Sequence, residues 1–160
     1  RFLSDDDGPR FAVVESGGWD THANQGAATG LLANRLAALD TGLAALHDGL
    51  GDHWSDTVVA VVTEFGRTVR VNGTRGTDHG TGTVALLTGG AVAGGRVAAD
   101  WPGLARDALF EGRDLRPTTD LRALLKGVLH DHVGVARAAL DTDVFPDSTS
   151  VPPARDLVRA

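Results

Sequence analysis

Residues 56–65 read DTVVAVVTEF, a nearly continuous Val/Ala run that ends in an acid and an aromatic ring just before Gly66. Such an unbroken apolar run is the pattern of a strand covered on both faces, as in a parallel sheet. Upstream, RFAVVES at 10–16 is short, β-branched and followed by Gly17 and Gly18, which predicts a first strand ending in a turn. Between the two, leucines at 32, 36, 39, 43, 46 and 50 recur in alternating steps of four and three. They line one face of a helix expected over 24–50, closed by Gly49 and Gly51. Strand, helix, strand makes a right-handed βαβ unit, with 11–15 and 57–63 parallel and the leucine face covering the sheet.

Downstream, TVALLTGG at 83–90 reads as a third strand, and the glycine-rich stretch after it as a connection with room for a short edge strand. Residues 66–82 carry no helical period and are few for a covered crossover, so the third strand is expected to run opposite to the second. A final helix is marked by Thr118, Thr119 or Asp120 as cap, with Leu121, Leu124, Leu125, Val128 and Leu129 as its buried face. The reading is therefore an α/β domain over 1–146 and a loose tail over 147–160.

Composition narrows the function. With 160 residues, 42% hydrophobic and 22% charged, the chain has the balance of a globular domain that buries about two thirds of its unfolded surface. A net charge of −6 without a dense Lys/Arg cluster argues against a phosphate-backbone partner, so no nucleic acid is expected. There is no cysteine, which excludes disulfides, a thiolate nucleophile and a cysteine zinc site, so any metal ligands are oxygen or imidazole. No apolar run approaches a transmembrane length. The chain starts at Arg1 and contains no methionine, so it reads as a fragment or a processed piece.

Ligands of open α/β sheets sit outside the carboxyl ends of the strands, where loops converge. GGWDTH, with Asp20 and His22, and TEFGR, with Glu64 and Arg67, lie at such ends. Asp78 and His79 precede the third strand and join them at one edge if that strand is antiparallel. The mix of carboxylate and imidazole suits zinc or manganese better than calcium. Arg67, or Arg75, offers a fork for an oxyanion. Plainer roles stand beside these: Asp20 as a helix cap, His22 as a first-turn surface residue, Glu64 and Arg67 as an ion pair, Asp78 and His79 as turn residues. His47, His53, His130 and His132, near helix ends, read as structural.

The blocks GGWDTHANQ, LAALDTGLAALHDGL, VVAVVTEFGRT, GTDHGTG and GGRVAADWPGL, in that order, resemble the bacterial domain-of-unknown-function 1501 family over most of residues 10–135. That family is similar to the alkaline phosphatase and sulfatase superfamily. The resemblance implies a three-layer α/β/α sandwich, mostly parallel with one antiparallel strand, of which this chain is the C-terminal portion. It also implies a metal-dependent hydrolase of phosphate or sulfate esters, exported to the periplasm or beyond, often by a twin-arginine signal. Its substrate would be a small anionic ester and its structural partner the N-terminal part of the same protein, which would also carry the nucleophile. GTDH at 76–79 sets His79 on the superfamily's late metal-binding histidine. Glu64 falls on a metal-binding aspartate, but Phe65 falls on that aspartate's histidine partner, and a phenyl ring cannot ligate. Asp20 and His22 resemble the earlier Asp and His pair, with one residue between them where three are common. A second register makes both Asp78 and His79 ligands. The implied metal residues are thus Asp20, His22, Glu64, Asp78 and His79, with Arg67 holding the anion. The rival reading is a non-catalytic relative serving binding or envelope assembly.

Overall fold

A computed structural model describes residues 2–5 and 7–159; the outermost bounds of the two expected segments, at 1 and 160, lie outside them. Strands β1 (Val59–Val61), β2 (Gly66–Arg67), β3 (His79–Gly80) and β4 (Leu86–Thr88) form two antiparallel pairs, β1 with β4 and β2 with β3. The registers Val59↔Thr88 and Gly66↔Gly80 lie on one hairpin path, slipped by a single residue between the pairs. The Thr63 and Thr83 hydroxyls bond at 3.0 Å across the gap. The third strand therefore returns against the second, as the short connection implied.

The expected first strand is different. Residues 11–20 carry no regular secondary structure and no strand pairing, Gly18 has positive φ, and Val13 and Val14 are 100% and 88% exposed. No parallel pair forms among the described residues. A β-branched run predicts an extended backbone, but pairing needs a neighbouring edge and a covering layer, and neither reaches this segment.

Helix α1 runs Leu31–Leu50 and stops at Gly51. It starts seven residues later than its leucine period suggests, because Asn24, Gly26 and Gly30 all have positive φ and Asn24 and Gln25 donate their amides to Thr74 and Arg75 carbonyls. That loop is committed to the 72–76 turn. The leucine face is only half-covered: Leu32, Leu39, Leu43 and Leu46 are intermediate, Leu36 is 50% exposed, and Leu50 alone is buried. The helix packs on the 3-10 turns Phe2–Ser4 and Gly51–Asp56 rather than covering a sheet. The total accessible surface, 10911 Å² for 16.6 kDa, exceeds the roughly 7,600 Å² of a compact chain of this mass.

Helix α2 (Leu121–Asp131) begins where its cap signal lies: the Asp120 carboxylate accepts the Arg122 amide at 2.8 Å. Its most buried residues are Lys126 and Gly127 rather than the leucines. The reason is the segment expected to be a loose tail, which is docked against them. Ala154 donates its amide to Ala123 O, Ala93 to Leu157 O and Arg159 to Ala91 O, and Val158 pairs with Val92. A Cβ on Gly127 would lie 2.4 Å from Ala154 O. Beyond α2, one helical turn at Arg137–Ala139 widens into a π turn at Leu140–Val144. That turn aims the Asp141 carboxylate at the Lys126 ammonium, which is 0% exposed and also donates to Ser148 O at 2.7 Å and Val151 O at 3.1 Å.

Candidate metal centre

The β2–β3 ladder pairs Arg67 with His79. Beyond it the loop 72–77 pairs with 21–25: Ala23 bridges Arg75, and Thr77 donates its amide to Thr21 O at 3.2 Å. This second pairing brings the early Asp20–His22 loop, more than fifty residues away in sequence, to the end of the hairpin. Gly76 permits it, because a Cβ there would stand 2.2 Å from the His22 carbonyl.

Asp20 Oδ1 is the centre of the cluster. His22 Nε2 lies 2.9 Å from it and His79 Nε2 2.8 Å, and the two ring nitrogens are 3.2 Å apart. One ligand atom from each of the three residues falls within 4.8 Å of the others, and all three residues are exposed. On its far side His22 presents Nδ1 to Asp78 Oδ1 at 3.2 Å. In its neutral form His22 carries one N–H, so one of its two nitrogens then faces a carboxylate with its lone pair. If Nδ1–H donates to Asp78, that lone pair is on Nε2, beside Asp20 and His79.

Both carboxylates of the cluster are held below their ordinary value. Partial desolvation works to raise the Asp20 carboxyl, but hydrogen bonds from His79 and Arg67 and the charges of both histidines outweigh it and hold it below the usual carboxylate value. Asp78 is likewise held low, by hydrogen bonds from Asn72 first and His22 second, against desolvation. Arg67 does not stand free as an anion fork. Its Nε donates to Thr77 Oγ1 at 3.0 Å, its Nη2 to Thr77 O and its Nη1 to Asp20. It holds the loop and the Asp20 carboxylate together.

Of the residues expected from sequence, Asp20, His22 and His79 converge, with Arg67 against Asp20 and Asp78 behind His22. Glu64 is exposed and belongs to no cluster of metal-ligating side chains among the described residues. It sits in the loop between β1 and β2, outside the ladder that carries His79. Phe65 stacks on His79, with ring centroids 4.2 Å apart and planes at 31°. Sequence reasoning missed Asn72, Thr77 and Gln25. Gln25 Oε1 accepts from Thr21 and Thr77 hydroxyls at 2.8 and 2.7 Å, and Asn72 bonds Asp78. The Asn72-Gly73 turn signal was visible, but a turn signal does not tell what the amide will hold.

The family described as Protein of unknown function (DUF1501) matches residues 2–144, and the chain belongs to it. No curated protein and no solved structure matches the chain. No helix among the described residues is long and apolar enough to cross a membrane.

Proposed function

We propose that this chain carries a one-metal centre, Asp20, His22 and His79, of an exported metal-dependent hydrolase-like protein acting on phosphate or sulfate esters. The observation that carries it is the convergence of one carboxylate oxygen and two imidazole nitrogens, held from behind by Asp78 and Arg67. Two imidazoles and a carboxylate suit zinc or manganese and leave a coordination position open. When bound, such an ion would act as a Lewis acid toward an ester oxygen. Arg67 would hold Asp20 in place and, through Nη1, would lie near the anionic group. Asp78 enters as the partner that fixes His22 rather than as a ligand, and Glu64 is left out. The resemblance to the alkaline phosphatase and sulfatase superfamily supports the ester class, export and a three-layer sandwich completed by the upstream part of the protein. The unpaired 11–16 segment and the half-covered α1 leucines would pack against that part.

Phe65 favours the second reading, a non-catalytic relative in binding or envelope assembly. Its ring lies against His79, and the resemblance would have a metal-binding histidine at its position. The test is calorimetry with zinc and manganese near pH 7.5, on wild type and His79→Ala. Metal binding by the wild type that His79→Ala loses is the expected result. No binding tighter than about millimolar in either, a free energy no greater than about 4 kcal/mol, ends the metal reading.

A further inference from the structure

The loop between β2 and β3 contains a side chain that touches both halves of the cluster. Asn72 Nδ2 donates to Asp78 Oδ1 at 2.9 Å and to the His22 carbonyl at 3.0 Å. Its Oδ1 accepts from the Thr74 and Gly76 amides, each at 3.0 Å, and from the Thr74 hydroxyl at 2.9 Å. The Thr74 hydroxyl in turn reaches His22 O at 2.7 Å. Both polar atoms of the amide are therefore engaged, and the partners of Nδ2 are the His22 carbonyl and the carboxylate that meets its ring. A side chain needed only for the turn would require the Oδ1 bonds alone.

We propose that Asn72 and Asp78 form a positioning relay for His22: Asn72 fixes the Asp78 carboxylate, and Asp78 accepts the Nδ1 proton so that Nε2 faces Asp20 and His79 with its lone pair. This rests on the metal reading above and assigns Asp78 a place outside the ligand set. Donation of the remote ring N–H to a carboxylate fixes the tautomer and the ring plane and raises the basicity of the ligating nitrogen. Asn72 adds the step before it, because a carboxylate held only by an imidazole at 3.2 Å would be free to rotate away.

The relay is tested on the chain stripped of metal, with zinc titrated by calorimetry and cobalt(II) followed by its visible bands. Asp78→Ala and Asn72→Ala are expected to weaken zinc about 10- to 100-fold. Asp78→Asn keeps an oxygen facing Nδ1 and is expected to recover most of the affinity, with the wild-type cobalt bands unmoved because no ligand has changed. Thermal unfolding of the metal-free variants separates a collapsed loop from a misoriented ring, and Asp78→Asn serves where Asn72→Ala does not fold. Zinc bound by Asp78→Ala or by folded Asn72→Ala as tightly as by wild type overturns the relay. Cobalt bands of Asp78→Asn that shift as they do on loss of a ligand overturn it also, since Asp78 would then bond the metal itself. If wild type binds zinc and His79→Ala does not, the metal reading survives either failure; if wild type binds no zinc, both fall together.

Discussion

Two charged hubs among the described residues are built in opposite ways. At the first, the Lys126 ammonium is wholly buried and meets one carboxylate and two carbonyls, so its donors are matched by acceptors supplied by the protein. At the second, Asp20 Oδ1 is exposed and gathers Arg67, His22 and His79, while the two imidazole nitrogens face each other at 3.2 Å. The first hub is complete; it ties α2 to the π turn and to the C-terminal segment. The second has two imidazole nitrogens 3.2 Å apart around one carboxylate oxygen and lies open to solvent. Burying a charge without full satisfaction costs several kcal/mol, on the order of 3 or more, so a finished hub belongs to the fold. An unfinished one at the surface costs little to keep, which is the condition for waiting on a ligand.

The largest expected effect breaks the first hub. Lys126→Ala should cost about 3–5 kcal/mol in denaturant unfolding, because Asp141, Ser148 O and Val151 O lose their buried donor. A loss below about 1 kcal/mol would mean that water replaces the ammonium and that the hub is a surface pair after all. The same hub sets an acid dependence. Hydrogen bonding to Lys126, ahead of desolvation, and then to Arg137 holds the Asp141 carboxyl below its usual value. A carboxyl lowered on folding stabilises the protein above its unfolded value of about 3.9, and that contribution is lost as pH falls through the folded value. Stability of wild type should therefore fall below about pH 4, and less steeply in Lys126→Ala. Equal slopes would remove Asp141 from the explanation.

A middle-sized effect belongs to the second hub's framework rather than to its charges. Gly76→Ala places a methyl group against the His22 carbonyl, and backbone must shift to admit it. The expected cost is about 1–3 kcal/mol, with metal affinity lowered as the His22 loop moves away from His79. Unchanged affinity in a destabilised variant would show that the 72–77 pairing does not position the cluster.

The smallest effect on stability is expected at the centre of the second hub. Asp20→Asn should leave the unfolding midpoint where it is, since exposed ion pairs contribute little, yet it should lose metal binding. That dissociation of stability from binding is the sharpest contrast with Lys126. A variant both unstable and metal-free would make Asp20 a structural residue like Lys126.

The sequence announced one hub and hid the other, for physical reasons. Asp20, His22, Arg67, Asp78 and His79 sit among glycine and threonine in loops after apolar runs, where charge is conspicuous, and a short connection implied the antiparallel return that gathers them. The Asp120 cap was equally local and therefore legible. Lys126 lies in the middle of a leucine-rich helix and looks like its solvent face; only the docking of residues 148–154, which carry no strand or helix period, turns that face inward. The helix starts later than its leucine period implies, because that period says nothing about Asn24 and Gln25 being held by the 72–76 turn. The sequence at 11–15 favours an extended backbone, but a strand also depends on an edge and a covering layer supplied from elsewhere. Asn72 was visible as half of a turn dipeptide, and its second role is a tertiary contact that no local pattern encodes.

The measurement that bears most directly on the second hub is zinc K-edge X-ray absorption on the zinc-loaded chain. The account predicts a first shell of nitrogen and oxygen at about 2.0–2.1 Å with the outer-shell scattering of two imidazoles, and of one imidazole in His79→Ala if any zinc is retained. A shell of oxygens alone, or one unchanged in His79→Ala, would contradict it.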